Sequence, residues 1–346
     1  MKFDYCIGNP PYQEQTIEDA NRQEPVYNDF MDAAYAIADK VELITPARFL
    51  FNSGQTPTVW NNKMLNDAHL KVLSYEADSS KVFPKPVDIK GGVAITYHNA
   101  SVSYGAIKNF IPYDELRTLT DKVRSIESTY FDTIIDGQNN FNLDALYEDY
   151  PEFSSRIHSN GRSKQIRSNA FEKFPEIFVE TKLDDSYIGM YGIEGRQRKY
   201  KYIKRKYIEA ADNIDVYNVM VPQANGSGAI GEVLSMPVIG EPVIGEPVIG
   251  YTQSFIGIGR FDTYEEASNC LSYVKSKFAR ALLGTLKVTQ NNAAPKIWLN
   301  VPLQDFTSNS DIDWNKSISD IDKQLYRKYG LSDDEINFIE THIKEK

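Results

Sequence analysis

The chain of 346 residues is poor in the residue types that most often carry metal or disulfide chemistry, with two cysteines and four histidines. Cys6 and Cys270 are too few for a disulfide framework and too isolated for a metal site, and the scattered histidines predict no catalytic histidine. No run of about 18 apolar residues is present, so no membrane-spanning helix is expected. The N-terminal residues lack the charged and then apolar layout of a signal peptide. Together these absences predict a cytoplasmic protein without a metal site.

The charge is unevenly distributed along the chain. The whole sequence carries a formal net charge of −10, which by itself argues against a nucleic-acid partner. Residues 151–210, however, hold 13 basic and 8 acidic side chains and therefore carry +5. A basic segment within an acidic chain is typical of a local DNA contact, and a solvated run of charge is the alternative.

The first 110 residues have the pattern of an α/β domain. A short apolar strand is predicted over residues 3–8, and the Gly-Asn-Pro-Pro sequence ends it. A helix is predicted over residues 27–40 and a second strand over 41–45. This order predicts an α/β unit with a parallel sheet, about four strands in all. The apolar face of the predicted helix holds Phe30, Ala33, Ala34 and Ile37.

The rest of the chain divides into three predicted segments. A polar helical connection is expected over residues 111–150, an α+β domain over 151–306 and a helical tail over 307–346. One helix is predicted over residues 264–283 within the α+β domain. In the tail, Ser332 and Glu335 have the spacing of a capping box.

A short repeat, PVIGE, PVIGE and PVIGY, occupies residues 237–251. A solenoid requires longer and more numerous repeats, so this repeat predicts a duplicated loop segment. Proline at every fifth position is expected to keep it out of a central strand.

The most specific motif is Asn9-Pro10-Pro11-Tyr12, which directly follows the first predicted strand. In open α/β sheets, ligands bind at the carboxyl ends of the strands. Two prolines also fix the backbone and remove two N–H donors, so a rigid turn is the structural alternative. The motif resembles the catalytic loop of adenine-N6 DNA methyltransferases of restriction–modification systems.

The resemblance implies a specific role for each residue of the loop. The side-chain oxygen of Asn9 and the carbonyl of Pro10 would accept the two hydrogens of the adenine amine and localise its lone pair. Pro10 and Pro11 would fix these acceptors before the base arrives, and the ring of Tyr12 would stack on the extruded base. Direct transfer of a methyl group from S-adenosylmethionine needs alignment and neither a metal nor a covalent nucleophile.

Further segments resemble the adenine methylases of bifunctional restriction–modification enzymes, in the same order along the chain. The resemblance implies a partial Rossmann-like methyltransferase sheet over residues 1–110, followed by an α+β target-recognition domain and the helical tail. Gly91 and Gly92 are expected to allow close backbone approach. Tyr97 is expected to line the base pocket, with a core position as the alternative. The resembling segments are residues 43–50, 87–93, 252–255, 273–278 and 301–306.

The family pattern places a glycine-rich, donor-binding strand-turn-helix well before the Asn-Pro-Pro-Tyr loop, and only eight residues precede Asn9 here. The residues that bind S-adenosylmethionine therefore cannot be assigned in this sequence. Without a neighbouring strand, Phe3–Gly8 would be an exposed apolar edge, which proteins usually cover. We expect either a separate donor-binding subunit or a second copy to pair with it, and a truncated remnant is the third alternative.

Double-stranded DNA is the expected partner of the basic segment. Residues 196–207, RQRKYKYIKRKY, contain seven basic residues and three tyrosines, a composition suited to phosphate contact and stacking. The alternation of lysine and tyrosine predicts a strand with its basic side outward. The candidate DNA-binding residues are Arg156, Arg162, Lys164, Arg167, Arg196, Arg198, Lys199, Lys201, Lys204, Arg205 and Lys206.

Two other functions remain open at this point. A specificity subunit that only binds DNA would share every residue above except the need for a methyl donor. A metal-dependent nuclease is less favoured: Glu180 and Lys182 resemble half of an acidic-x-Lys core, to which Glu176 or Asp184 would add ligands, but such short matches are common.

Overall fold

The computed structural model describes residues 2–13, 24–52, 55–83, 89, 91–157, 163–225, 234, 236–241, 249–287 and 290–345. The chain forms two compact units, Met1–Asp114 and Glu115–Lys346. The boundary lies close to the predicted end of the α/β domain at residue 110, and the three later segments belong to the second unit. None of the helices in the described residues has the length and apolar character that a membrane span requires.

In its described residues, the first unit contains one four-stranded sheet with two helices and two short 3-10 turns. Its sheet order is β1-β2-β4-β3, so β1 and β3 are the edges. The elements are β1 (Phe3–Gly8), α1 (Tyr27–Ile37), β2 (Ala38–Pro46), α2 (Thr58–Asn66), β3 (Leu70–Glu76) and β4 (Val93–Asn99), with the turns at Ala47–Phe51 and Ser79–Lys81.

The number of strands is as predicted, but the sheet is mixed rather than parallel. β1 and β2 are parallel and are joined through α1, as the strand-helix-strand pattern indicated. β4 runs antiparallel to both β2 and β3. It enters the sheet after Gly91 and Gly92, which have φ values of +87° and +76°, and an antiparallel strand needs no crossover helix.

Helix α1 is shorter than predicted and buries a different face. It ends at Ile37, because β2 begins at the next residue. Its buried side is formed by Tyr27, Met31 and Ala34, whereas the side chains of Phe30 and Ile37 are 46% and 50% exposed. The predicted apolar face was therefore wrong. The buried face is rotated around the helix axis by about one residue position from the predicted one.

The core of the first unit lies between α1, α2 and one face of the sheet. The rings of Tyr27, Phe49 and Trp60 contact one another with centroid distances of 5.3–6.3 Å, a range in which aromatic pairs are favourable. Val41 and Leu43 of β2 contribute the sheet side of the same cluster. This core holds the carboxyl ends of β1 and β2 in fixed positions.

The described residues of the second unit form two small sheets and the remaining helices. The sheet orders are β10-β6-β7 and β5-β11-β8-β9. Its elements are α3 (Asp114–Ile126), β5 (Ile135–Asp136), α4 (Leu143–Asp149), α5 (Phe153–Arg156), α6 (Ala170–Lys173), β6 (Tyr187–Glu194), β7 (Gln197–Lys204), β8 (Tyr217–Pro222), β9 (Val238–Gly240), β10 (Ile249–Tyr251), β11 (Phe255–Phe261), α7 (Tyr264–Lys275), α8 (Lys277–Gly284), α9 (Ile318–Lys328) and α10 (Asp333–His342), with 3-10 turns at Phe131–Ile134, Arg205–Tyr207 and Pro295–Trp298.

A buried polar network connects these two sheets. The side-chain oxygen of Asn139, which follows β5, accepts the backbone N–H of Tyr251 in β10 at 2.7 Å. Asn213 donates to the Tyr251 hydroxyl at 2.7 Å and accepts from Asn139 at 3.1 Å. Buried polar groups that are all hydrogen-bonded specify one arrangement, so this network fixes β10 against the neighbouring sheet.

The PVIG repeat contributes one edge strand to each sheet. The first copy forms β9, which pairs with β8, and the third copy forms β10, which pairs in parallel with β6. The second copy lies outside the described residues. As the prolines indicated, neither strand is central.

Two C-terminal expectations have different outcomes. The helix predicted over residues 264–283 is two helices, because Ser276 takes an extended ψ of 149° and its hydroxyl caps α8 through the N–H of Ala279. In the tail, two helices are present as predicted, and Ser332 and Glu335 form the complete capping box.

Candidate active site and nucleic-acid interface

The Asn9–Tyr12 loop leaves the carboxyl end of β1. The last residue pair of β1 and β2 is Gly8 with Leu43, so the loop extends beyond the sheet beside the end of β2. Asn9 and Pro11 are exposed, and Pro10 and Tyr12 are half-buried. An exposed carboxamide on a proline-fixed backbone is available to a ligand without rearrangement of the core.

Tyr12 anchors the loop to the first unit. Its hydroxyl donates to the backbone carbonyl of Ile44 at 3.4 Å, and its own carbonyl accepts the N–H of Val26 at 3.2 Å. Its ring meets the ring of Phe83 edge-on, with centroids 6.4 Å apart. Burial raises the pKa of Tyr12 to about 12, so the hydroxyl remains a hydrogen-bond donor at neutral pH.

Gly91 and Gly92 border the same end of the sheet, and the predicted close backbone approach is confirmed at Gly92, whereas Gly91 faces the side chain of Arg48. The carbonyl of Gly92 accepts the N–H of Ala47 at 3.0 Å. A Cβ on Gly92 would overlap the backbone of Glu76, and a Cβ on Gly91 would lie 2.7 Å from Cγ of Arg48. Both glycines have positive φ, which an L side chain rarely adopts.

Tyr97 is not brought next to Tyr12. It pairs with Glu42, which in turn pairs with Ile7, and paired residues of adjacent strands share a face of the sheet. That face is opposite to the one carrying Val41 and Leu43, whose cluster Tyr12 packs against. The ammonium of Lys71 lies 5.4 Å from the Tyr97 ring centre. This position does not support the expectation that Tyr97 lines the base pocket.

Strand β1 presents apolar side chains to solvent. Phe3, Tyr5 and Ile7 are 65%, 60% and 76% exposed, and in the described residues β1 pairs with β2 alone. Three large apolar groups in a row on an edge strand form the kind of surface that proteins usually cover.

The basic segment forms β7, and Lys201 on this strand faces inward, whereas the side chain of Lys199 is 38% exposed. Lys201 is 4% exposed, and its ammonium contacts carboxylate oxygens of Glu194 at 2.6 Å and Glu180 at 3.1 Å. Lys199 also bonds Glu194, at 2.7 Å. The predicted outward position is therefore wrong for Lys201, because Glu194 and Glu180 hold its ammonium group and make it unavailable to a phosphate.

The outward side of β7 carries aromatic and arginine side chains. Tyr200 is 44% exposed, and its ring centroid lies 4.5 Å from that of Tyr191 on β6. Tyr191 lies 4.7 Å from Phe255 in turn, and the Arg198 guanidinium lies 5.6 Å from the Phe255 ring centre. This face of β7 therefore presents an aromatic ring that is packed on other rings and lies near a cation.

The remaining candidate DNA-binding residues differ in how they are held. Arg196 is exposed at the β6–β7 turn, Arg167 is exposed, and Lys204 is half-buried. Arg162 lies outside the described residues. Four others form ion pairs that water can reach, and such pairs are weak enough to exchange for phosphate. These pairs are Arg156–Glu176, Lys164–Glu209, Arg205–Asp215 and Lys206–Asp149, with distances from 2.6 to 3.1 Å.

The acidic residues considered for a nuclease are engaged elsewhere. Glu180 pairs with Lys201, Glu176 with Arg156, and Lys182 with Asp185 at 3.2 Å. Throughout the described ranges, no three His, Cys, Asp or Glu side chains are grouped as metal ligands.

Comparison with known proteins gives a family match and a curated relative. Residues 1–83 match the family of Eco57I restriction-modification methylases. An uncharacterized adenine-specific methylase of Mycoplasma pneumoniae is 32% identical over 96 residues, which are 27% of this chain and 22% of that protein. The match thus spans about a fifth of the length of that curated relative.

Among solved structures, the type IIG restriction endonuclease BpuSI is similar, with a TM-score of 0.37 and 10% identity over 93% of this chain and 48% of that chain. The family match includes the Asn9–Tyr12 loop and the turn after β2. The family match supports a methylase of the restriction–modification type for residues 1–83, and the second unit lies outside this match.

Proposed function

We propose that this chain carries the catalytic loop and a DNA-binding part of an adenine-N6 DNA methyltransferase. The observation that carries the proposal is the exposure of Asn9, on a loop that two prolines stiffen and Tyr12 anchors at its far end. This loop lies within the segment that matches restriction-modification methylases.

The chemistry of the loop follows from what it offers to an amine. The lone pair of an exocyclic adenine nitrogen is delocalised into the ring, which makes the nitrogen a poor nucleophile. The Asn9 side-chain oxygen and the Pro10 carbonyl would accept its two N–H groups and draw the nitrogen toward a tetrahedral geometry. Because the acceptors are fixed before the base arrives, they stabilise the developing positive charge without reorganisation.

S-adenosylmethionine would supply an electrophilic methyl group. The adenine nitrogen, held by Asn9 and Pro10, would form the new bond to this methyl group as the carbon–sulfur bond breaks with its electrons on sulfur, and one amine proton would be released. Since Asn9 is exposed, water can take that proton from the Asn9 side of the loop. We assign no residue of this chain to the donor.

We further propose that the element that binds the methyl donor covers the open edge of β1. An added strand would pair with β1 and make the four-stranded sheet part of a larger methyltransferase sheet, and the rest of the donor-binding element would cover the sheet face that carries Phe3, Tyr5 and Ile7. A separate subunit or a second copy of this chain would supply this covering element. The exposure of these three side chains supports this arrangement.

DNA contact is proposed for the second unit through the residues around the β6–β7 hairpin. We expect Arg196, Arg198 and Lys204 to make the main phosphate contacts. Unlike Lys201, these residues are neither buried nor held in an ion pair with a described glutamate. The water-accessible ion-paired residues would add contacts by exchanging carboxylate for phosphate.

The decisive experiment is methyl transfer to duplex DNA. The chain is combined with the polypeptide encoded immediately upstream, and transfer of labelled methyl groups to adenine is measured. The wild-type complex is expected to methylate and the Asn9→Ala complex to be inactive. Asn66→Ala is the matched control, since Asn66 is exposed at the end of α2, just before β3 begins at the opposite end of the sheet.

The outcomes separate the remaining functions. DNA binding without donor binding or methyl transfer in any such complex would favour a specificity subunit that only binds. Mg²⁺-dependent cleavage would favour the nuclease.

A further inference from the structure

The turn after β2 places an arginine at the same end of the sheet as the catalytic loop. β1 and β2 are parallel neighbours, so their carboxyl ends lie at the same end of the sheet. Asn9 follows β1 there, and Arg48 follows β2. Tyr12 connects the two segments, because its hydroxyl bonds the carbonyl of Ile44, four residues before Arg48.

The side chain of Arg48 lies over a gap that glycine leaves. A Cβ at position 91 would stand 2.7 Å from Cγ and 3.6 Å from Cδ of Arg48. Gly91 therefore makes room for the aliphatic part of the arginine. Burial raises the pKa of Tyr27 to about 12. The positive charge of Arg48 lies close enough to Tyr27 to act in the opposite direction and lower this pKa.

Arg48 also differs from the basic residues of the second unit. Lys199, Lys201 and Arg156 are all held by glutamates. In the described parts of the first unit, the ion pairs involve Lys2, Lys63, Lys81 and His98, and none includes Arg48. A half-buried guanidinium whose charge no described carboxylate neutralises is suited to an anionic ligand.

We propose that Arg48 binds a DNA backbone phosphate beside the adenine that Asn9 holds. This inference rests on the proposed function. Extruding a nucleotide brings its flanking phosphates to the mouth of the base pocket, and a planar guanidinium binds phosphate through two parallel hydrogen bonds. One such contact would orient the nucleotide so that its amine meets Asn9 and Pro10.

The sheet order favours phosphate over the carboxylate of the methyl donor. The open edge of β1, where the donor-binding element is proposed, lies on the side of β1 away from β2. Arg48 follows β2 and is therefore on the inner side of the catalytic loop. A donor carboxylate bound by Arg48 would have to reach across the loop.

The test measures DNA affinity against salt for the full chain, with a duplex that carries a mismatched target adenine. Arg48→Gln keeps the aliphatic part of the side chain over Gly91, and Arg48→Lys keeps the charge. Lys63→Ala is the matched control, since Lys63 is an exposed cation of the same unit that pairs with Asp32. Thermal unfolding verifies that each variant is folded.

Arg48→Gln is expected to weaken binding about tenfold and to reduce the slope of log affinity against log salt by about 0.9. Arg48→Lys is expected to retain the wild-type slope with an intermediate affinity, and Lys63→Ala to resemble the wild type. A wild-type slope and affinity for folded Arg48→Gln overturns the proposal.

A second measurement distinguishes the two possible ligands of Arg48, the methyl donor and DNA. If Arg48→Gln in the reconstituted complex lowered the affinity for S-adenosylmethionine and left DNA binding unchanged, Arg48 would bind the donor, and the phosphate proposal would be wrong. If the wild-type complex bound DNA with the expected salt slopes but did not methylate it, the proposed function would fail while the phosphate contact stood. Absence of DNA binding by the wild type would overturn both.

Discussion

The hydroxyl of Tyr12 donates a hydrogen bond to the backbone carbonyl of Ile44, 3.4 Å away. The aromatic residue of the proposed catalytic loop is therefore attached to the end of the neighbouring parallel strand. Its ring orientation is set by the core, with Phe83 against it, before any base arrives. Pre-organisation of this kind lowers the entropic cost of placing the base.

Tyr12→Phe and Tyr12→Ala should separate the two roles of this side chain. Phenylalanine retains the ring but loses one hydrogen bond, worth about 1 kcal/mol of stability, so capture of a mismatched adenine should remain close to that of the wild type. Alanine should weaken capture by about 1–3 kcal/mol, the stacking contribution. Fluorescence of 2-aminopurine at the target position measures capture. Equal losses for the two variants would show that the anchor, rather than the ring, is what matters.

Asn9→Ala and Asn9→Asp should differ in methyl transfer. Alanine removes the acceptor and should abolish transfer, whereas aspartate still accepts an N–H from adenine and should keep measurable activity. Neither change should greatly alter duplex binding, because phosphate contacts dominate affinity. Single-turnover rates of the reconstituted complex test this. Comparable rates for alanine and wild type would remove Asn9 from the mechanism.

Lys201→Ala should impair folding rather than DNA binding. The change leaves Glu194 with Lys199 as its remaining ammonium partner, and the loss should cost about 1–3 kcal/mol in the free energy of unfolding. The salt slope of DNA binding should not change. The double variant Arg196→Ala, Lys204→Ala should do the reverse. Urea unfolding and salt titrations on both variants measure the two effects, and a reduced salt slope for folded Lys201→Ala would contradict the assignment.

The stability of the second unit should depend on pH through Asp322. Its carboxylate is 2% exposed and accepts the N–H groups of Lys277 and Phe278, at the start of α8. Burial raises its pKa to about 6. The folded state thus binds this proton more tightly than the unfolded state, so the contribution is fully present below about pH 4 and is lost as the pH rises through about 6.

Asp322→Asn should remove this dependence. The difference in unfolding free energy between wild type and variant should shift by up to about 3 kcal/mol between pH 4 and 7, in favour of the variant at the higher pH. Urea unfolding at several pH values gives this difference directly, and other carboxylates cancel in it. A pH-independent difference would mean that Asp322 titrates normally in the folded protein.

Local chemistry made part of this structure predictable. The Gly8–Pro11 breaker ends β1, and the capping box at Ser332 and Glu335 begins α10, because both signals act within a few residues. The strand-helix-strand pattern likewise gave the parallel pair β1 and β2. These features position the loop that we propose as the catalytic site.

Non-local contacts decided the rest. Nothing in the sequence around Lys201 reveals that Glu180, more than twenty residues away, would help hold its ammonium, so the inward face of β7 could not be inferred from alternation. Arg48 was missed for a related reason: its surroundings depend on Gly91, which is far along the chain. In α1, Met31 rather than Phe30 reached the core, because the packing of Trp60 and Phe49 favoured the face that carries Tyr27.

The PVIG repeat gives the second unit an unusual freedom to change. Its first and third copies have almost the same sequence, yet one forms an edge strand in each of two sheets. Gain or loss of one five-residue copy keeps the reading frame. A copy would then still be present at each end of the repeat to form β9 and β10. Both strands would keep their sequence while the connection between them changed by five residues, or at most about 17 Å of extended chain. The distance spanned between two fixed sheets could thus evolve in steps without any new side chain having to be selected.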